Sequence, residues 1–129
     1  MASTGFHEAT EQLRPETRDM HRAITSLMEE LEAIDWYDQR IDASGNAELA
    51  AVLAHNRDEE KEHACMVLEW IRRHDECFDV YLRRYLFTSG AIEEIEEIQE
   101  AGAHEATASD SRIEQSGTLR IGSLRSAEA

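Results

Sequence analysis

The sequence predicts an all-α fold, an antiparallel two-helix hairpin followed by short C-terminal helices. Three observations lead there. Two long stretches carry apolar residues at alternating steps of three and four, the spacing of one face of a helix. A single proline, Pro15, interrupts the 129 residues. Most of the chain shows no alternation of apolar and polar residues of the kind a half-buried strand needs. The length suits one small domain.

Pro15 opens the first helix, because its missing N–H has no partner in a first turn. The run "PETRDMHRAITSLMEELEAIDWYDQRIDA" then continues without a breaker. Met20, Leu27, Ile34 and Ile41 share one column, and Ala23, Glu30 and Tyr37 fill the same seam. Ser44-Gly45-Asn46 ends it, with Gly45 expected in a left-handed cap and Asn46 as the N-cap of the second helix. That helix is expected from about Ala47 to His74. Its stripe is Leu49, Leu53, Asn56, Glu60, His63, Val67 and Trp70. So short a connection makes the two helices an antiparallel pair. "ECFDVYLRRYLF" predicts a third helix through Phe78, Leu82, Tyr85 and Leu86, ended by Thr88-Ser89-Gly90. "AIEEIEEIQEA" predicts a short acidic helix with Ile92, Ile95 and Ile98 on one side. The expected organisation is a helical domain over 1–101, a flexible linker over 102–118 rich in small and acidic residues, and a tail over 119–129.

Twenty-eight acidic residues against thirteen lysines and arginines give a net charge of -15. Such a chain repels nucleic acid and anionic membranes, so neither is an expected partner, and it attracts cations. No apolar run approaches the length of a membrane span. The opening "MASTGFHEAT" has neither the basic start nor the apolar stretch of a signal peptide. Cys65 and Cys77 match no zinc or redox spacing and are read as reduced thiols in a cytoplasmic protein.

The seam of the second helix holds an anomaly. Glu60 and His63 project from one helical face at positions where leucine is the ordinary choice. A bland reading turns them to water, with Glu60 paired to Arg57 or Lys61. That rotation would also carry Leu53 and Val67 outward. The first helix has the same oddity at Glu30, although Leu31 offers a competing apolar alignment. Glu30 and Glu60 each lie fifteen residues from Gly45. With equal rise on both arms of an antiparallel hairpin, they fall at one level.

Two glutamates and a histidine at one level point to a transition metal, with Fe(II), Mn(II) and Zn(II) all suited to the donors. A ferritin-like di-metal bundle needs a Glu from each of two helices and a Glu-x-x-His from each of two more. This chain has one of each kind, which is half a site. Two chains related by a two-fold axis would complete it, and four carboxylates would then balance two divalent cations. The expected site therefore belongs to a homodimer forming a four-helix bundle.

The segments "HRAITSLMEELEAIDWYDQR" and "LAHNRDEEKEHACMVLEWIRR", with "YLF" and the tail "LRIGSLRS", resemble encapsulated ferritins. The resemblance covers roughly residues 7–98 and the tail. It implies a half-ferritin chain whose dimers assemble into a ring-shaped decamer without an iron-storing cavity of its own. It implies a ferroxidase that oxidises Fe(II) with O2 at a di-iron centre, and iron storage inside a prokaryotic encapsulin nanocompartment. By position, it makes Glu30, Glu60 and His63 the catalytic iron ligands. It makes Glu29 and Glu32 an entry or secondary metal site, and places Trp36 and Tyr37 near the centre. Without the resemblance, Glu29 and Glu32 would read as solvated acids and the two aromatics as packing. His21 and His55 are left as structural or exposed residues, and Cys65 is read as packing.

The tail carries Leu119, Ile121 and Leu124 separated by small and basic residues. Apolar side chains spaced along an extended peptide fill pockets in a groove. Together with Gly122 and Ser123 they resemble an encapsulin-targeting peptide, so the shell protein is the expected partner. The rival reading is a non-enzymatic helical protein that binds two metals, or an adaptor that only dimerises.

Overall fold

The computed structural model describes residues 5–98 and 100–103, and all regular structure among them is helical. A 3-10 turn at Thr10–Gln12 precedes α1 (Pro15–Ala43), α2 (Ala47–His74) and α3 (Glu76–Tyr85). Helical backbone resumes over residues 92–98 and 100–103. The linker beyond residue 103 and the tail over 119–129, with Leu119, Ile121, Gly122, Ser123 and Leu124, lie outside the described residues.

Pro15 occupies the first turn of α1, as its chemistry requires. The turn into α2 is built on Asn46, whose side-chain oxygen accepts from the Leu49 N–H at 2.9 Å. The Ser44 hydroxyl in turn accepts from the Asn46 N–H at 3.2 Å. Gly45 does not take the left-handed cap. The C-cap of α1 is Ser44 in extended backbone, its N–H donating to the Arg40 carbonyl. That bond, with the Ser44 and Asn46 side chains, satisfies the turn without a positive φ. The described glycine that does adopt one is Gly90, at φ 102.

Among the described residues, those up to Arg83 form one compact unit and those from Arg84 onward belong to a second. In the first unit, α1 and α2 pack along their length as a hairpin. The α1 column from Met20 through Ala23, Leu27, Glu30, Ile34 and Tyr37 to Ile41 is half-buried throughout. On α2 the buried centre differs from the expected stripe. Ala64 and Ile71 are the buried side chains among the described residues, with Leu53, Arg57, Glu60 and Val67 half-buried around them. Leu49, His63 and Trp70 lie on the exposed edge of that strip. A helix facing one neighbour seals only a narrow sector, so the remaining apolar width of α2 stays open.

Much of the apolar surface is uncovered: Leu31 is 54% exposed, Val52 53% and Met66 59%. Cys65 and Cys77 are free and exposed, so the packing expected of Cys65 is not made within this chain. The step from α2 to α3 is held by polar contacts. Asp75 accepts from the Phe78 N–H at 2.8 Å. Arg72 binds both Glu69 on its own helix and Asp79 on α3, and Asp79 also accepts from Arg83 at 2.9 Å.

In the second unit, Phe87 has a positive φ of 60. The Thr88 hydroxyl donates to the Tyr85 carbonyl at 2.6 Å. Along the following helix Ile95 is half-buried, whereas Ile92 and Ile98 are exposed.

Candidate metal centre

Glu30 comes from α1, and Glu60 and His63 from successive turns of one face of α2. Equal distance from the connecting turn and equal helical rise bring the arms level there. One ligand atom from each of the three lies within 4.8 Å of the others. His63 Nδ1 is 3.3 Å from Glu60 Oε2 and 4.0 Å from Glu30 Oε2. The pairing of Glu60 with Arg57 or Lys61 does not form. Arg57 turns to Asp38 and Asp58, and Lys61 to Asp58.

The two carboxyl groups face each other across the hairpin, with an oxygen of each within 4.8 Å of the other. The side-chain interaction with Glu60 is the main cause holding the Glu30 carboxyl above its usual range, with burial and the Glu60 charge adding to it. Glu60 is held below the usual range, first by Glu30 and then by His63. Of the two, Glu30 is therefore the carboxyl that takes up a proton more readily. Two carboxylates this close need either a proton or a cation between them. A divalent ion between them would satisfy both and engage the imidazole.

The group opens to the edge of the hairpin rather than lying sealed within it. The Glu30 and Glu60 side chains are 25% and 26% exposed, and His63 is 46% exposed. Three donors from one chain leave the coordination of a transition metal incomplete. About one helical turn from the group runs a groove of about 370 Å³, lined by Asp19, Arg22, Ala23 and Ser26 of α1 and by Met66, Val67 and Trp70 of α2. Met66 and Trp70 come three and seven residues after His63, on the same edge of α2.

The other expected residues stand apart from the three-residue group. Glu29 is exposed and Glu32 half-buried, and neither joins it. Glu29 acts on it only by charge, helping to raise Glu30. Trp36 is half exposed. The Arg40 guanidinium lies 5.8 Å from the Trp36 ring centroid and 5.7 Å from that of Tyr37. His55 pairs with Glu59 at 3.1 Å, and His21 packs 4.3 Å from the Phe6 ring. One residue is not singled out by sequence reasoning. Arg57 reaches from α2 to Asp38 on α1, 2.8 Å away. Its signal is its place in the inward column, between Leu53 and Ala64.

Comparison with known proteins agrees with the helical architecture. A family model described as EncFtn-like matches residues 5–89. The "Encapsulated ferritin-like protein" of Rhodospirillum rubrum is 54% identical over 96% of this chain and 90% of its own length. The "Encapsulin nanocompartment cargo protein EncC" of Myxococcus xanthus is 31% identical over 93% of this chain and 95% of its own. The crystal structure of protein ne0167 from Nitrosomonas europaea superposes with a TM-score of 0.67 at 64% identity, covering 68% of this chain and 97% of that one. With most of the chain matched by the family model and by close relatives, the protein belongs to the EncFtn-like family of encapsulated ferritin-like proteins.

Proposed function

We propose that the chain is a ferroxidase subunit that takes Fe(II) as substrate and oxidises it with O2, at a di-iron centre completed by a second copy. The observation that carries the reading is the convergence of Glu30, Glu60 and His63 at the open edge of the hairpin. The donor set fits iron: two carboxylates favour the ferric state and the imidazole suits either oxidation state. Neither thiol belongs to the group. When bound, a pair of ferrous ions supplies the electrons that reduce dioxygen.

The chain's own contribution is to bind, hold and admit. Glu30 and Glu60 offer their oxygens, and His63 offers Nδ1. A second copy docked over the Met66–Trp70 edge would bring another such set. Four carboxylates would then neutralise two divalent ions, which removes the cost of closing like charges into an interface. Glu29 and Glu32 would receive incoming cations on the acidic surface, with Trp36 and Tyr37 close to their path. Dimers would assemble further into a decameric ring.

The named relatives support an encapsulin shell as partner and compartment. Residues 119–124 would bind the shell, and many tails on one ring would add avidity. No helix among the described residues is long and apolar enough to cross a membrane. The test is aerobic Fe(II) oxidation monitored by absorbance. The full chain should oxidise iron, and Glu60→Ala and His63→Ala should lose most of that rate. Equal rates in parent and variants would leave a metal-binding or adaptor protein without this activity.

A further inference from the structure

We propose that Arg57 and Asp38 are positioning residues that set the axial register of the hairpin and so keep Glu30 and Glu60 at one level. The role rests on the proposed metal site. Arg57 Nη1 and Asp38 Oδ1 are 2.8 Å apart, joining α2 to α1. The Arg57 side chain is 23% exposed, less than half the 52% of Lys61 one turn further on. It lies in the inward strip of α2, one turn from Glu60 on the side of the connecting turn.

Side chains on a helix lean toward its N-terminus. In an antiparallel pair those directions are opposite. Arg57 therefore leans toward the connecting turn and Asp38 away from it, so the two converge although their backbone positions differ in height. Sliding one helix by a single residue moves it about 1.5 Å. That strains the 2.8 Å contact, and it shifts Glu60 past Glu30 by the same amount. The apolar seam offers little resistance there, because the buried residue nearest Glu60 is the small Ala64. The guanidinium is also occupied on a second edge, with Nε 3.1 Å from Asp58. Both aspartates thus keep a cationic group, one turn from Glu60, turned away from a carboxylate that must remain open to metal.

The test uses the full-length chain and Co(II) as the probe metal. Affinity is read by titration, and site geometry by the visible absorption of bound cobalt. Arg57→Gln and Asp38→Asn should each weaken Co(II) binding about tenfold and alter the saturated spectrum. The double variant should be little worse than the single ones, since both remove one contact. Exchanging the charges, with Arg57→Asp and Asp38→Arg together, should restore most of the affinity. Arg83→Gln, which removes a distant pair with Asp79, should change nothing. Where Arg57→Gln lowers helix content, Arg57→Lys keeps the charge and should give an intermediate affinity. Parental affinity and spectrum in folded Arg57 and Asp38 variants would overturn the positioning role. Equal affinity in the parent and in Glu60→Ala would instead remove the metal site itself, and the positioning role with it.

Discussion

Glu30 and Glu60 bring a carboxyl oxygen each to within 4.8 Å across the hairpin, and their interaction raises the pKa of Glu30 and lowers that of Glu60. Shifts in opposite directions ease the repulsion between two acids on one face.

Glu30→Gln separates folding from metal binding. The amide can donate to Glu60, so the metal-free hairpin should change in stability by only about 1 kcal/mol. Its affinity for divalent transition metals should fall by at least about tenfold, because a neutral oxygen replaces an anionic one. Thermal unfolding with and without added metal checks both halves. The parent should gain stability on metal addition by mass action, and the variant should gain much less.

The exposed edge predicts self-association. Trp70→Glu or Met66→Glu puts a charge into the groove about one helical turn from His63 and should shift the oligomer toward monomer in sedimentation experiments. Each exchanged residue lies outside the three-residue group, yet metal binding should weaken along with assembly. Helix content should stay close to that of the parent, because neither residue is buried in the single chain.

Asn46→Ala removes the side chain that caps α2. The loss should be about 1 kcal/mol of stability, readable from urea unfolding. Gly45→Ala should be tolerated. Its φ is not positive, and a Cβ there meets nothing within 4 Å.

The α2–α3 elbow sets an acid limb of stability. Glu69 and Asp79 are both held below their usual range, first by hydrogen bonds from Arg72. A carboxylate lowered on folding contributes stability above its unfolded pKa. That contribution is lost as pH falls through its folded value, since the unfolded chain takes up protons first. Unfolding midpoints should therefore drop as the medium is acidified through the carboxylate range. Arg72→Met should flatten that drop, while lowering stability at neutral pH.

The class, the element boundaries and the level of the three-residue group are legible in the sequence because they depend on period and counting. Pro15, Asn46 and the equal spacing of Glu30 and Glu60 from Gly45 act locally or through uniform helical rise. The rotation of α2 is harder to read. Its apolar residues are spread over a sector wider than one neighbour covers, so His63 and Trp70 fall on the edge and Ala64 at the centre. Arg57 is hidden for a related reason. An arginine in a charged helix reads as surface until the backbone shows Asp38 in its reach. The Gly45 expectation fails because Ser44 and Asn46 already meet the needs of the turn.

The most direct test is a crystal structure of the full-length oligomer loaded with Fe(II), with iron located by its anomalous signal. Paired iron peaks should lie between two chains, each pair bounded by Glu30, Glu60 and His63 from both. Iron bound wholly within one chain, or at a place remote from these residues, would contradict it.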